Sequence, residues 1–128
     1  MKKLLLENNG VTIELESGIV LAKWKSSFVD ISIAQQAVLW RLESTNYTSY
    51  PILSNIKLVK NSTKEARDFL ASEKGCEGII AAAILIDSPI GNMIGNFFIF
   101  ISKPLRPTKI FTKEAEAKKW LAQYVTKV

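Results

Sequence analysis

The sequence predicts an α/β fold, a mixed sheet of about five strands with helices packed against it, opening as an antiparallel β-meander. Asn9-Gly10 stands between two strand-like runs and is the strongest short hairpin signal a sequence carries. Apolar runs then alternate with helical periods to the end of the chain, the pattern of a sheet covered by helices. With 128 residues, 48% hydrophobic and 23% charged, the chain fits one domain over residues 1–128. A chain of that length buries roughly two-thirds of its unfolded surface without staples.

The elements follow in order. Residues 3–7 and 11–16 flank the hairpin turn; Val11, Ile13 and Leu15 alternate with Thr12, Glu14 and Glu16, so that strand has one wet face. Ser17-Gly18 turns the chain into a third strand over 19–25. Ser32 followed by Gln35 has capping-box spacing and opens a helix to about Glu43, with Ile33, Ala34, Ala37, Val38, Arg41 and Leu42 on one stripe. A polar loop leads to a strand over 51–59. Ser62 and Glu65 form a second capping box, and the helix it opens turns Ala66, Phe69 and Leu70 inward and ends at Gly75, a fitting C′ residue. Residues 79–86 are apolar throughout and suit a central strand covered on both faces. Asp87-Ser88-Pro89 caps a third helix running to Ile99. Pro104 and Pro107 bound a loop, 109–111 is a short strand, and Thr112 caps a last helix with Ala115, Trp120, Leu121 and Tyr124 as its inner stripe.

Composition excludes much chemistry. The absence of histidine removes the Ser-His and Cys-His nucleophile pairs and His-based metal sites. Cys76 is the only cysteine, so no intrachain disulfide or Cys-based zinc site forms, and a reducing cytoplasmic setting fits. The carboxylates are scattered, and there is no Walker loop, dinucleotide fingerprint or nucleophile elbow. Gly91 and Gly95 form a G-x-x-x-G that suits close helix-to-sheet packing. These features argue against an enzyme, and nothing asks for a cofactor or metal. The net charge of +5 comes from scattered lysines without interleaved aromatics, which argues against nucleic acid. The apolar start stops at Glu7, and Asp87-Ser88-Pro89 divides the apolar stretch 79–101, so no segment reaches the ~20 residues of a membrane span.

The corner at residues 61–64 is the candidate site. Ser62 and Thr63 lie between a strand and a helix, where free N–H groups and the helix dipole favour an anion. A phosphate on either hydroxyl would gain from the helix terminus, Lys60 and Lys64, be opposed by Glu65, and add ~1.5–2 negative charges to the surface a partner meets.

This Asn61-Ser62-Thr63-Lys64 corner, with the meander and alternating helices, resembles the STAS domain of bacterial anti-sigma-factor antagonists. The resemblance places Ser62 at the phosphoacceptor and Thr63 at the next hydroxyl; Asn61 stands where Asp is usual and Lys64 where Gly is usual. The ending, Gly95-Asn96-Phe97-Phe98, Lys103-Pro104, Pro107, Ile110-Phe111-Thr112, Glu114-Ala115 and Trp120-Leu121, is similar to a group of small single-domain bacterial STAS-like proteins of uncharacterised function. The resemblance implies a regulatory interaction module whose partner is an anti-sigma-like kinase or sensor, meeting Lys60, Asn61, Lys64 and Glu65. Some STAS-like folds resemble lipid-binding CRAL-TRIO domains and others bind nucleotides, which implies an alternative. Trp40, Met93, Phe97, Phe98 and Trp120 would then line a sheet-helix pocket for a lipophilic molecule or nucleotide. A third reading is a structural homodimer formed through edge strands or the apolar helix from Gly91 to Phe98.

Overall fold

The computed structural model describes residues 2–125. Position 1 and positions 126–128 of the expected domain lie outside these described residues. The strands are β1 (Lys2–Glu7), β2 (Val11–Glu16), β3 (Ile19–Trp24), β4 (Phe28–Val29), β5 (Tyr50–Asn55), β6 (Asn61–Ser62), β7 (Ile79–Leu85) and β8 (Thr108–Phe111). The helices are α1 (Ile31–Ser44), α2 (Lys64–Ala71), α3 (Pro89–Phe97) and α4 (Glu114–Ala122); α3 runs on as a π-helical turn over Phe98–Ser102.

One six-stranded sheet has the order β1-β2-β3-β5-β7-β8, antiparallel at the start and parallel from β3 onward. This is the expected mixed α/β sheet with one more strand than about five. The hairpin turns at Asn9-Gly10 as expected, and Asn8 braces it, its side chain accepting from the Gly10 and Val11 N–H groups at 2.8 and 2.9 Å. The parallel strands advance in one direction across the sheet, so three successive crossovers lay α1, α2 and α3 on the same face. On the other face α4 buries Ala117 and Leu121 against Leu21, Leu53, Ala81, Ala83 and Leu85. Strand β7 is therefore covered on both faces, as its unbroken apolar run predicts.

Several element ends differ from expectation, and one feature accounts for two of them. Strands β4 and β6 pair in a small parallel sheet, Phe28 opposite Asn61 and Val29 opposite Ser62. Val29 and Ser62 are held extended by this pairing, so in each case the next residue becomes the N-cap of the following helix. The α1 N-cap is Asp30, accepting from Ile33 N at 2.9 Å, rather than Ser32. The α2 N-cap is Thr63, accepting from Ala66 N at 3.1 Å, rather than Ser62. Helix α2 ends at Ala71 with Ser72 as C-cap, ahead of Gly75, and β5 ends at Asn55 rather than running to 59. Ser88 caps α3 as expected, accepting from Gly91 N at 3.1 Å, but α4 has Lys113 at its N-cap and no side-chain cap from Thr112. Ala115 is exposed and does not join the inner stripe of α4, because Ala117 and Leu121 already face the sheet.

Candidate interaction face and cavity

The 61–64 corner is pinned from three sides. The Lys60 and Asn61 N–H groups donate to the Ser27 carbonyl at 2.7 and 3.1 Å, and Thr63 N–H donates to Val29 O at 3.0 Å. The Asn61 side chain accepts from Ser62 N–H at 2.8 Å. Arg67, one turn into α2, reaches back so that its Nη1 donates to the Ser62 carbonyl at 2.7 Å and to Ser62 Oγ at 2.9 Å. Ser62 and Thr63 are half-buried, less open than the sequence implies, because β4 and Arg67 cover them. Lys60, Asn61, Lys64 and Glu65 are exposed. Lys64 pairs with Asp68 at 2.6 Å, and this bond, aided by the Ser102 hydroxyl, holds the Asp68 carboxyl below its ordinary range. That pair is solvent-facing and contributes little stability.

Arg67 also lies over the Phe97 ring, 5.3 Å from its centroid, and so joins the corner to α3. The inner side of α3 is set by its two glycines, as the G-x-x-x-G predicts. A Cβ at Gly91 would come within 3.1 Å of Ile86 Cβ, and one at Gly95 within 2.9 Å of Ile110 Cδ1. The opposite side carries Ile90, Met93 and Phe97 at helical spacing, continued by Phe100 and Ile101 in the π-helical turn and then Leu105; these are 43–67% exposed. Five large apolar side chains on consecutive turns, with Leu105 in the loop beyond, leave apolar surface that a folded chain in water gains nothing by exposing.

The five residues expected to form one pocket do not come together. Trp40 packs at the hairpin turn, its Cζ3 2.9 Å from where a Gly10 Cβ would be. Trp120 is on the other side of the sheet, against Phe111 and Tyr124. Met93 and Phe97 point outward. Only Phe98 borders the cavity that does exist.

That cavity, of about 130 Å³, lies between the sheet and α1, α2 and α3. It forms where small residues oppose each other, Ala22, Ser54 and Ala82 from the sheet against Ala37, Ala66 and Gly95 from the helices. Ser62 and Arg67 border one end, where strands β3 and β5 finish; Arg41 borders the other, where β5 and β7 begin. Arg41 is 6% exposed and donates to Glu77 O at 2.8 Å and Gly75 O at 3.2 Å. Burial lowers its pKa to about 10, with Cys76 and Glu77 pulling the other way, so it remains a cation at neutral pH.

A family model described as a domain of unknown function, DUF7793, matches residues 13–125. No curated protein matches the chain. The crystal structure of an uncharacterized protein of the DUF3478 family with a SpoIIAA-like fold, from Shewanella loihica PV-4, is similar over 91% of this chain and 97% of that one, with a TM-score of 0.63 at 14% identity. The likeness is one of fold, and it is the STAS-like architecture that the corner and the ending resemble. A protein of unknown function from Arthrobacter sp. FB24 matches at 25% identity over 88% of this chain and 98% of that one, with a TM-score of 0.33. Among the described residues no helix is long and apolar enough to cross a membrane.

Proposed function

The chain belongs to the DUF7793 family, a domain of unknown function, and from that premise we propose that it is a non-enzymatic interaction module that docks a protein partner through the outer side of α3 and the neighbouring corner of α2. The observation that carries this reading is the continuity of the two surfaces. Arg67 donates from Nη1 to Ser62 while its guanidinium lies over the Phe97 ring. Apolar side chains supply the area a partner buries, and the exposed Lys60, Asn61, Lys64 and Glu65 supply a polar rim.

The same geometry supports Ser62 as a switch, whereas Thr63 is committed to capping α2. A phosphate on Ser62 would bring ~1.5–2 negative charges beside the Arg67 guanidinium and draw it into a charge-assisted pair. Arg67 would then leave the Phe97 ring, altering charge and shape at the centre of the docking face. An anti-sigma-like kinase or sensor is the class of partner that the STAS-like fold suggests.

The test is affinity capture from the native cells with the wild type, Phe100→Ser and Ser62→Glu. Both variants are expected to melt close to the wild type and to lose the same partner. Full retention of that partner by both variants would sink the proposal. A mass that doubles with concentration in light scattering, abolished by Phe100→Ser, would identify the partner as a second copy of the chain.

A further inference from the structure

We propose that the cavity between the sheet and α1 binds a small lipophilic carboxylate, with its apolar body against Ala37, Ile52 and Ala82 and its carboxylate on the Arg41 guanidinium. The Arg41 end of the cavity lies opposite the end that Ser62 and Arg67 share with the docking face, so the two readings are tested by different variants.

The size comes from the volume. A cavity of about 130 Å³ approaches the roughly 150 Å³ that accommodates benzene in an apolar protein interior. That volume suits a ring or a chain of about six carbons. The apolar walls select the body of the ligand, since they give almost no partners to a sugar or a base.

The charge comes from Arg41. Nearly all of its surface is buried, yet among the described residues no carboxylate lies within 4 Å of it. Its described bonds go only to the carbonyls of Glu77 and Gly75, and a guanidinium has five N–H donors. The Glu77 carboxylate acts on Arg41 only through space, so the fork has N–H donors to spare for a directly bonded anion. The planar fork suits a carboxylate, which it can hold by two parallel bonds. An anion also has one way in. On its other side Arg41 borders a crevice lined by Thr45, Thr48 and Tyr50, with no room for a water molecule, whereas the cavity has room.

The competing account makes Arg41 a clip that ties the loop after α2 to α1, with the cavity a packing defect. Titration of the ¹⁵N-labelled protein at neutral pH with hexanoate, and separately with 1-hexanol, separates the two. The expected result is saturable shifts of the Ile52, Gly75, Glu77 and Ala82 amides, with hexanoate at least tenfold tighter than the alcohol. Ala82→Leu, which fills the cavity and keeps Arg41, should abolish both, and Arg41→Gln should bring hexanoate to the level of the alcohol. No saturable shift with hexanoate, or equal affinities in the wild type, overturns the proposal. So do shifts centred on Ser62 and Arg67 that Arg41→Gln leaves unchanged. The wild-type comparison decides alone if Arg41→Gln folds poorly.

Discussion

The Arg67 guanidinium lies over the Phe97 ring across the junction between α2 and α3, its Cζ 5.3 Å from the ring centroid. A cation over a half-exposed ring contributes about 0.5–1 kcal/mol. A double-mutant cycle with Arg67→Met and Phe97→Leu, read by urea denaturation, should give a coupling energy in that range. Strictly additive losses would break the link that joins Ser62 to the apolar face.

The two hydroxyls of the corner should separate cleanly in stability. Thr63→Ala removes the α2 N-cap and should cost ~1 kcal/mol. Ser62→Ala removes only the Oγ acceptor, while Arg67 keeps its bond to the Ser62 carbonyl, so its cost should stay below about 0.5 kcal/mol. Urea midpoints of the two variants check this. A larger loss at Ser62 than at Thr63 would mean that Ser62 caps the helix after all.

What the sequence made legible is what local periodicity determines. The period-two run from Val11 to Leu15, the Asn9-Gly10 turn and the stripe from Ile33 to Leu42 each encode an element without reference to the rest of the chain. Caps are not local in this sense. Ser32, Ser62 and Thr112 all stand where a capping residue would, yet Asp30 and Thr63 do the work at the first two helices. The reason is the pairing of Val29 with Ser62, residues 33 apart, which fixes where each helix begins.

The cavity was illegible for a different reason. A search for a pocket singles out large aromatic residues, but voids open where side chains are small, at Ala22, Ala37, Ala66, Ala82 and Gly95. The signal that was present is Arg41, a charged residue on the inner stripe of α1 between Val38 and Leu42. Arg67 had a signal too, a basic residue one turn into a helix, positioned to reach back over its own N-terminus.

Gly75 is needed for space and not as the end of α2. A Cβ there would fall on the Phe69 carbonyl oxygen and lie 2.7 Å from Leu70 Cα, backbone atoms that cannot swing aside. Gly75→Ala should therefore destabilise the fold by ~1–3 kcal/mol, the range of overpacked sites. It should also disturb Arg41, because Gly75 O is one of its two acceptors. Thermal melting measures the first effect, and a shift of the Arg41 Nη resonances the second. An unchanged melting point would mean that the loop after α2 can move away from the helix.

Lys118 holds α4 to β2, its Nζ 2.7 Å from Glu16 Oε1 and 2.8 Å from Glu114 Oε2. These bonds lower both carboxyl pKa values from their ordinary 4.5 and raise that of Lys118 from its ordinary 10.5. A lowered carboxyl stabilises the fold above its unfolded value, and that contribution is lost as the pH falls through the folded value. A raised amine stabilises below its unfolded value, and that contribution is lost as the pH rises through the folded one. The stability gap between the wild type and Lys118→Gln should therefore be flat from above pH 4.5 to below pH 10.5, and should close on either side. Lys118 and Glu16 are half-buried and Glu114 is exposed, so all three keep contact with water; the gap should be modest and should shrink further in molar salt. Urea midpoints of both proteins across this pH range provide the measurement. A gap that persists unchanged at pH 3 would place the effect of Lys118 in the packing of its methylene chain and not in its charge.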